Sequence, residues 1–215
     1  MTDQLSLYNG SLRLCKERKL VSLSENREPR RLLDAAWGDG QTNGAVKYCL
    51  EMGQWTFATR TVQIDYSPSV EPPFGYRYAF DQPEDLVKVT GVFTEEMSRL
   101  PLTDYADERH FWFAHLETIY VSYVSNSVEY GTDMSLWPEV FAKLVEAYLA
   151  NEIVGNLTQG ENAKAMVEKK WKEAKLQARS FNAMSRPTVF PPEGSWVGSR
   201  RGRYGTGYHN RSGIR

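Results

Sequence analysis

Two cysteines and three histidines in 215 residues leave little material for metal or redox chemistry, and no stretch approaches the roughly 18 consecutive apolar residues of a membrane span. Cys15 and Cys49 each fall within an amphipathic helical pattern, so they read as plain core residues of a reducing compartment rather than a disulfide framework. The start, MTDQLSLYNG, has neither the charged nor the apolar region of a secretory signal. The expectation is a protein made in a cytosol, with no membrane partner. With 41% apolar residues the chain can build one packed domain, or one domain carrying a small insertion.

Catalytic constellations are equally scarce. The nearest is Asp104, Asp107, Glu108, His110 and His115, but on a strand the two histidines, five apart, point to opposite faces. The acids lie in a polar stretch between strands, where a solvated turn is the simpler reading. There is no Gly-x-Ser-x-Gly elbow, and Gly202, Gly205 and Gly207 have no strand before them or helix after them to make a phosphate loop. Phe111-Trp112-Phe113 lacks the interleaved cations of a base-stacking platform beyond Arg109. One face of that strand is expected in the core and the other at a subunit interface or against the insertion. The chain reads as a non-enzyme with no cofactor and no metal.

What is present concentrates at the C-terminal end. Residues 186–215 hold six Gly, three Pro and six Arg against a single acid, Glu193. Phe190, Trp196, Tyr204 and Tyr208 follow no helical or strand period, so this segment cannot build a core of its own and reads as an extended arm. At about 3.3 Å per residue it would reach on the order of 100 Å. Its net charge is +5, whereas residues 1–185 carry 20 basic and 26 acidic groups, net −6. Such an arm docks on nucleic-acid phosphates or on an acidic or grooved protein surface, and either contact would be salt-sensitive. A nucleic-acid-binding protein gripping phosphates with this arm is therefore the alternative reading.

Upstream, apolar spacing predicts an α+β fold, mainly a helical bundle with an inserted antiparallel β lobe. Residues 1–58 give three short helices. The first shows Leu5, Tyr8, Leu12 and Cys15 on one face; the second starts near Pro29 and buries Leu32, Leu33, Ala36 and Trp37; the third buries Ala45, Val46, Cys49 and Leu50. Over residues 59–130 the period changes to 2, with strands through Val62–Tyr66, Tyr76–Phe80, Val87–Val92, Phe111–Leu116 and Ile119–Val124, and a polar excursion from Thr94 to Arg109. The Pro-rich Ser67–Gly75 stretch reads as a link. Residues 131–185 return to helix. Ser135 is expected as a cap, Pro138 in the first turn, Phe141, Leu144, Val145, Tyr148 and Leu149 as the buried stripe, and Gly155 or Gly160 as the stop. A last helix, about Glu161 to Met184, carries Ala163, Val167, Trp171, Ala174, Ala178 and Phe181 in a near-heptad row. The two late helices are expected to pack on the three early ones.

Two stretches carry a resemblance. Tyr76-Arg77-Tyr78-Ala79-Phe80-Asp81-Gln82-Pro83-Glu84-Asp85-Leu86-Val87-Lys88-Val89, and Ile119-Tyr120-Val121-Ser122-Tyr123-Val124 followed by Trp137-Pro138-Glu139-Val140-Phe141 and Leu149-Ala150, resemble the tail tubular protein A-like head-to-tail connector adaptors of tailed bacteriophages. The shared order, with Trp55-Thr56-Phe57 closing the N-terminal helices, runs along residues 5–184, though no single motif in it is specific. The resemblance implies a virion protein at the head–tail junction, made in the bacterial host cytoplasm. It implies a twelve-fold self-assembled ring under the portal protein, an arm reaching into the portal, a downstream tail or nozzle protein as the other partner, and genomic DNA passing through the lumen without sequence-specific binding. On that footing Arg200, Arg201 and Arg203 would pair with portal carboxylates, with Arg211 in the same docking segment. Trp196, Tyr204 and Tyr208 would supply the buried anchors. The acidic body, net −6, would face DNA without gripping it.

Overall fold

Asp3 starts the first helix, α1 (Gln4–Leu14), because its carboxylate accepts the Ser6 N–H at 3.0 Å while the Ser6 hydroxyl accepts the Asp3 N–H at 3.0 Å. This reciprocal pair satisfies donors that a helix start otherwise leaves open. The computed structural model describes residues 2–40, 43–96, 100–158 and 160–186. Met1–Ser185 group as one unit and Arg186–Arg215 as another.

The buried face of α1 is Leu7, Tyr8, Ser11 and Leu12, with Leu5 and Cys15 at its half-buried margins. Helix α2 (Glu28–Trp37) takes Pro29 in its first turn, as expected, and sets Trp37 edge-on to Tyr8 at 5.9 Å. Helix α3 (Ala45–Glu51) buries the four predicted residues Ala45, Val46, Cys49 and Leu50. A 3-10 turn, Thr56–Ala58, follows Trp55, whose indole N–H is shared between the Cys49 and Leu50 carbonyls.

Helix α4 (Glu139–Leu157) occupies the middle, with α1, α2, α3 and α5 (Glu161–Met184) all packed on it. Nine of its residues are buried and they run round the helix, so the single stripe predicted from sequence is too narrow a description. Its ends also differ from expectation. Ser135 does not cap it: Ser135 instead bonds Asp133 through both N–H and hydroxyl, while Pro138 stands at the cap position ahead of the first turn. Gly155 does not stop it, and the helix ends at Leu157 before extended Thr158. Gly10 lets α1 approach the Glu146 carboxylate of α4, which a Cβ at that position would push aside.

Helix α5 has the predicted bounds but is less buried than its row suggested. Val167 and Ala178 are buried, Trp171 and Ala174 partly, and Phe181 is exposed. Polar bonds hold its C-terminal third to the chain after α3. Asn182 donates to the Gln54 carbonyl at 2.7 Å and accepts the Thr56 N–H at 2.9 Å, and Arg179 donates to the Met52 carbonyl at 2.7 Å.

The insertion forms two antiparallel three-stranded sheets. In the first, β6 (Thr118–Ser125) lies between β1 (Thr59–Asp65) and β3 (Leu86–Phe93); in the second, β5 (Phe111–Ala114) lies between β2 (Tyr78–Asp81) and β4 (Ala106–Glu108). Strand β4 is the element absent from the sequence reading: it falls in the stretch taken as a polar excursion, which also touches β3 through a Phe93–Pro101 bridge. Phe80, Val92, Trp112, Ala114, Ile119, Val121 and Tyr123 form the lobe core. Val124, the next residue of β6, belongs to the bundle core with half-buried Val87 beside it. One strand therefore serves two cores, one on each face.

Asp85 fastens this junction. Its carboxylate accepts from Tyr123 Oη at 2.8 Å, from Arg60 at 3.0 Å and from Ser125 Oγ, and its carbonyl accepts the Asn126 N–H at 3.0 Å. Burial alone would raise this carboxyl, but the donors from Ser125, Tyr123 and Arg60 outweigh it and hold it below the usual carboxylate range. Burial and the same contact push the Tyr123 phenol up. Asp85→Ala strands the buried Tyr123 and Ser125 hydroxyls and is expected to cost about 2–4 kcal/mol in urea unfolding at pH 7. Because the folded carboxyl is depressed, its contribution is present above the unfolded value and lost on acidification. The gap between wild type and Asp85→Ala should close as pH falls below ~4.

Candidate functional site

The seven residues expected to dock the arm, Trp196, Arg200, Arg201, Arg203, Tyr204, Tyr208 and Arg211, lie outside the described residues.

The carboxylate and histidine cluster is spread over several partners. His115 and Asp104 approach to 3.8 Å on an exposed face, Asp107 accepts from Gln82 Nε2 at 2.7 Å, and His110 follows Arg109, a turn residue at φ 55°. Among the described residues no group of three or more His, Cys, Asp and Glu is placed to hold a metal ion, and no helix is long and apolar enough to cross a membrane. Phe111-Trp112-Phe113 is covered on both sides by its own chain. Trp112 is fully buried in the lobe core, and Phe113 is shielded on the opposite face by Phe111 at 6.2 Å and Tyr76 at 6.4 Å. Phe111 itself stays half-buried on that second face.

Both thiols are held protonated. Burial pushes Cys15 up to about 11, with Glu17 adding to it, and drives the fully buried Cys49 higher still. The Cys15 thiol donates to the Ala150 carbonyl at 3.6 Å.

Charge is unevenly distributed. Residues 59–130 contain 12 acidic and 5 basic side chains, net −7, whereas residues 1–58 carry 8 basic and 7 acidic and residues 131–185 carry 7 of each. The acidity of the body is thus the acidity of the β lobe. Helix α5 goes the other way, with six basic and three acidic residues.

Two surface features stand apart from this background. On the lobe, the loop between β1 and β2 holds Phe74 fully exposed, with Tyr66 exposed at its base. On the bundle, α1 and α5 flank α4 and leave a groove of about 190 Å³. Leu14, Ala147 and Ala174 supply its apolar lining, and Arg13, Lys143, Lys170, Glu146 and Glu173 its charged lining. Burial raises the Glu146 carboxyl against the pull of Arg13, which lies 3.7 Å away. Helix α5 further exposes Met166, Leu176, Phe181 and Met184. In sequence Ser67–Gly75 reads only as a link, which hides Phe74. Pro73-Phe74-Gly75 was the available signal, since glycine after an apolar residue in a Pro-led turn marks a projecting side chain.

No family model matches the chain, and no curated protein matches it either.

Phe74 and Phe113 should respond oppositely to truncation. Phe113→Ala is expected to cost about 3–5 kcal/mol, the range for a buried aromatic. Phe74→Ala should change stability by less than about 0.5 kcal/mol. Paired melts followed by circular dichroism check both.

Proposed function

We propose that this chain is a structural adaptor of a phage virion, forming a ring at the head–tail junction that docks to the portal through its C-terminal arm and passes DNA without binding sequence. The observation that carries the reading is the division at Arg186: a folded unit of residues 1–185 followed by thirty residues with net charge +5 and four scattered aromatics. The resemblance along residues 5–184 supports it. So does an α+β fold in which α4 packs on the three early helices and α5 packs on α4, around a β insertion.

The physical task of an adaptor is to hold a joint under load. Ordering an arm on a neighbour costs a few kcal/mol, which keeps any single contact modest. Copies tethered in one ring engage together, and effective concentration then strengthens the whole far beyond one contact. Arginine and aromatic side chains suit the arm to this role, the first by bidentate pairing with carboxylates and the second by filling pockets. The net −7 of the lobe suits a wall that repels DNA.

Deleting residues 186–215 should leave a chain that melts within about 2 °C of the full protein but no longer joins portal rings in negative-stain images. Unchanged joining would sink the proposal. Tight binding of the arm peptide to duplex DNA with a steep salt slope would favour the phosphate-gripping alternative.

A further inference from the structure

Phe74 is not merely exposed; the chain is built to hold it out. Pro73, Phe74, Gly75 and Tyr76 form a turn closed by the Tyr76 N–H donating to the Pro73 carbonyl at 3.3 Å, with Gly75 at φ 102°. A positive φ in the third position is what glycine permits, and it leaves the second residue at the apex. Nothing lies within 4 Å of where a Gly75 Cβ would be, so the turn stands clear of the lobe. The feet of the loop are fixed to both sheets. Tyr66 N–H donates to the Glu117 carbonyl at 3.0 Å, Ser67 N–H to Ala79 at 2.7 Å and Arg77 N–H to Ala114 at 3.3 Å. Pro68, Pro72 and Pro73 restrict the backbone between them. An aromatic side chain on a pre-ordered loop has the form of an interface anchor, because little ordering remains to be done on binding.

The receptor that fits it is on the same chain. The groove between α1, α4 and α5 has about 190 Å³ and an apolar lining of Leu14, Ala147 and Ala174. That volume is of the order of one aromatic ring, on an open face with a charged rim rather than in an enclosed cavity. Charge agrees as well. Glu71 precedes Phe74 by three residues, and the loop belongs to the net −7 segment. The groove's own cations are paired within the chain, Arg13 with Glu146, Lys143 with Glu139 and Lys170 with Glu173, so the complementary charge is that of the bordering α5, net +3.

We propose that Phe74 of one copy seats in the α1–α4–α5 groove of a second copy, with Glu71 facing its cationic side. Knob and groove are different patches of each chain, so the contact is heterologous and propagates round a ring when its rotation closes. This deepens the adaptor reading and rests on it for the closed ring.

Native mass spectrometry and sedimentation of the full chain test the contact. Wild type should self-associate, and Phe74→Asp should weaken association at least tenfold with an unchanged melt. Gln177→Trp, which fills the groove mouth from an exposed position, should do the same. Lys170→Glu should weaken association, and adding Glu71→Lys should restore it. Normal association of Phe74→Asp, or a wild-type chain still monomeric near ~1 mM, overturns the proposal. Loss in Phe74→Asp with Gln177→Trp unaffected overturns the groove as receptor. The chain lacking residues 186–215 separates the two readings, because it keeps knob and groove and should self-associate whether or not it joins portal rings. If Phe74→Asp assembles normally while arm deletion abolishes joining, this inference falls and the adaptor reading stands.

Discussion

Burial of most of the circumference of α4 is the constraint from which the rest of the body follows. A helix whose apolar residues run round its circumference cannot rest at a surface, so it must recruit neighbours in all directions. Here α1, α2 and α3 come from before the β insertion and α5 from after it, all packed on the one helix. The insertion is thereby clamped at both ends by a shared core. The same arrangement leaves the groove: α1 and α5 each lie along α4, and two cylinders on a third leave a channel between them.

The lobe is joined to that bundle by chemistry of a different kind. Strand β6 presents Ile119, Val121 and Tyr123 to one core and Val124 to the other, so the two cores share a wall rather than a flexible neck. Asp85 sits at the seam and gathers donors from β1 and β6. Hydrophobic burial sets how firmly the two bodies press together; a charged acceptor with fixed donors sets where. A projecting loop on such a lobe is positioned with respect to the bundle.

Strong periodicity made much of this legible from sequence. Helix α5 was bounded correctly because Gly160 and a long row of Lys, Glu and spaced apolar residues leave few alternatives. Pro29 marked α2 through its missing donor. Failures came where a local signal had a competitor. Ser135 was read as a cap, but Asp133 two residues earlier captures it, and Pro138 starts the helix instead. Gly155 and Gly160 both read as stops, but buried Ile153 and Val154 carry the helix past Gly155, and it ends at Leu157, short of Gly160. Strand β4 is three residues, Ala106–Glu108, two of them exposed, and has no period of its own. It exists because the β5 edge offers it hydrogen bonds. The split into two sheets, and the groove, are properties of assembled elements that no single segment encodes.

The protonated state of Cys15 and Cys49 has a practical side. A thiolate is the reactive form, and burial keeps both native sulfurs in the thiol form at neutral pH. A cysteine placed on the outside of the protein would be alkylated well ahead of them. Fluorophores and spin labels can therefore be attached at chosen positions with the natural sulfurs left in place, and distances between labelled positions measured on an otherwise unaltered chain.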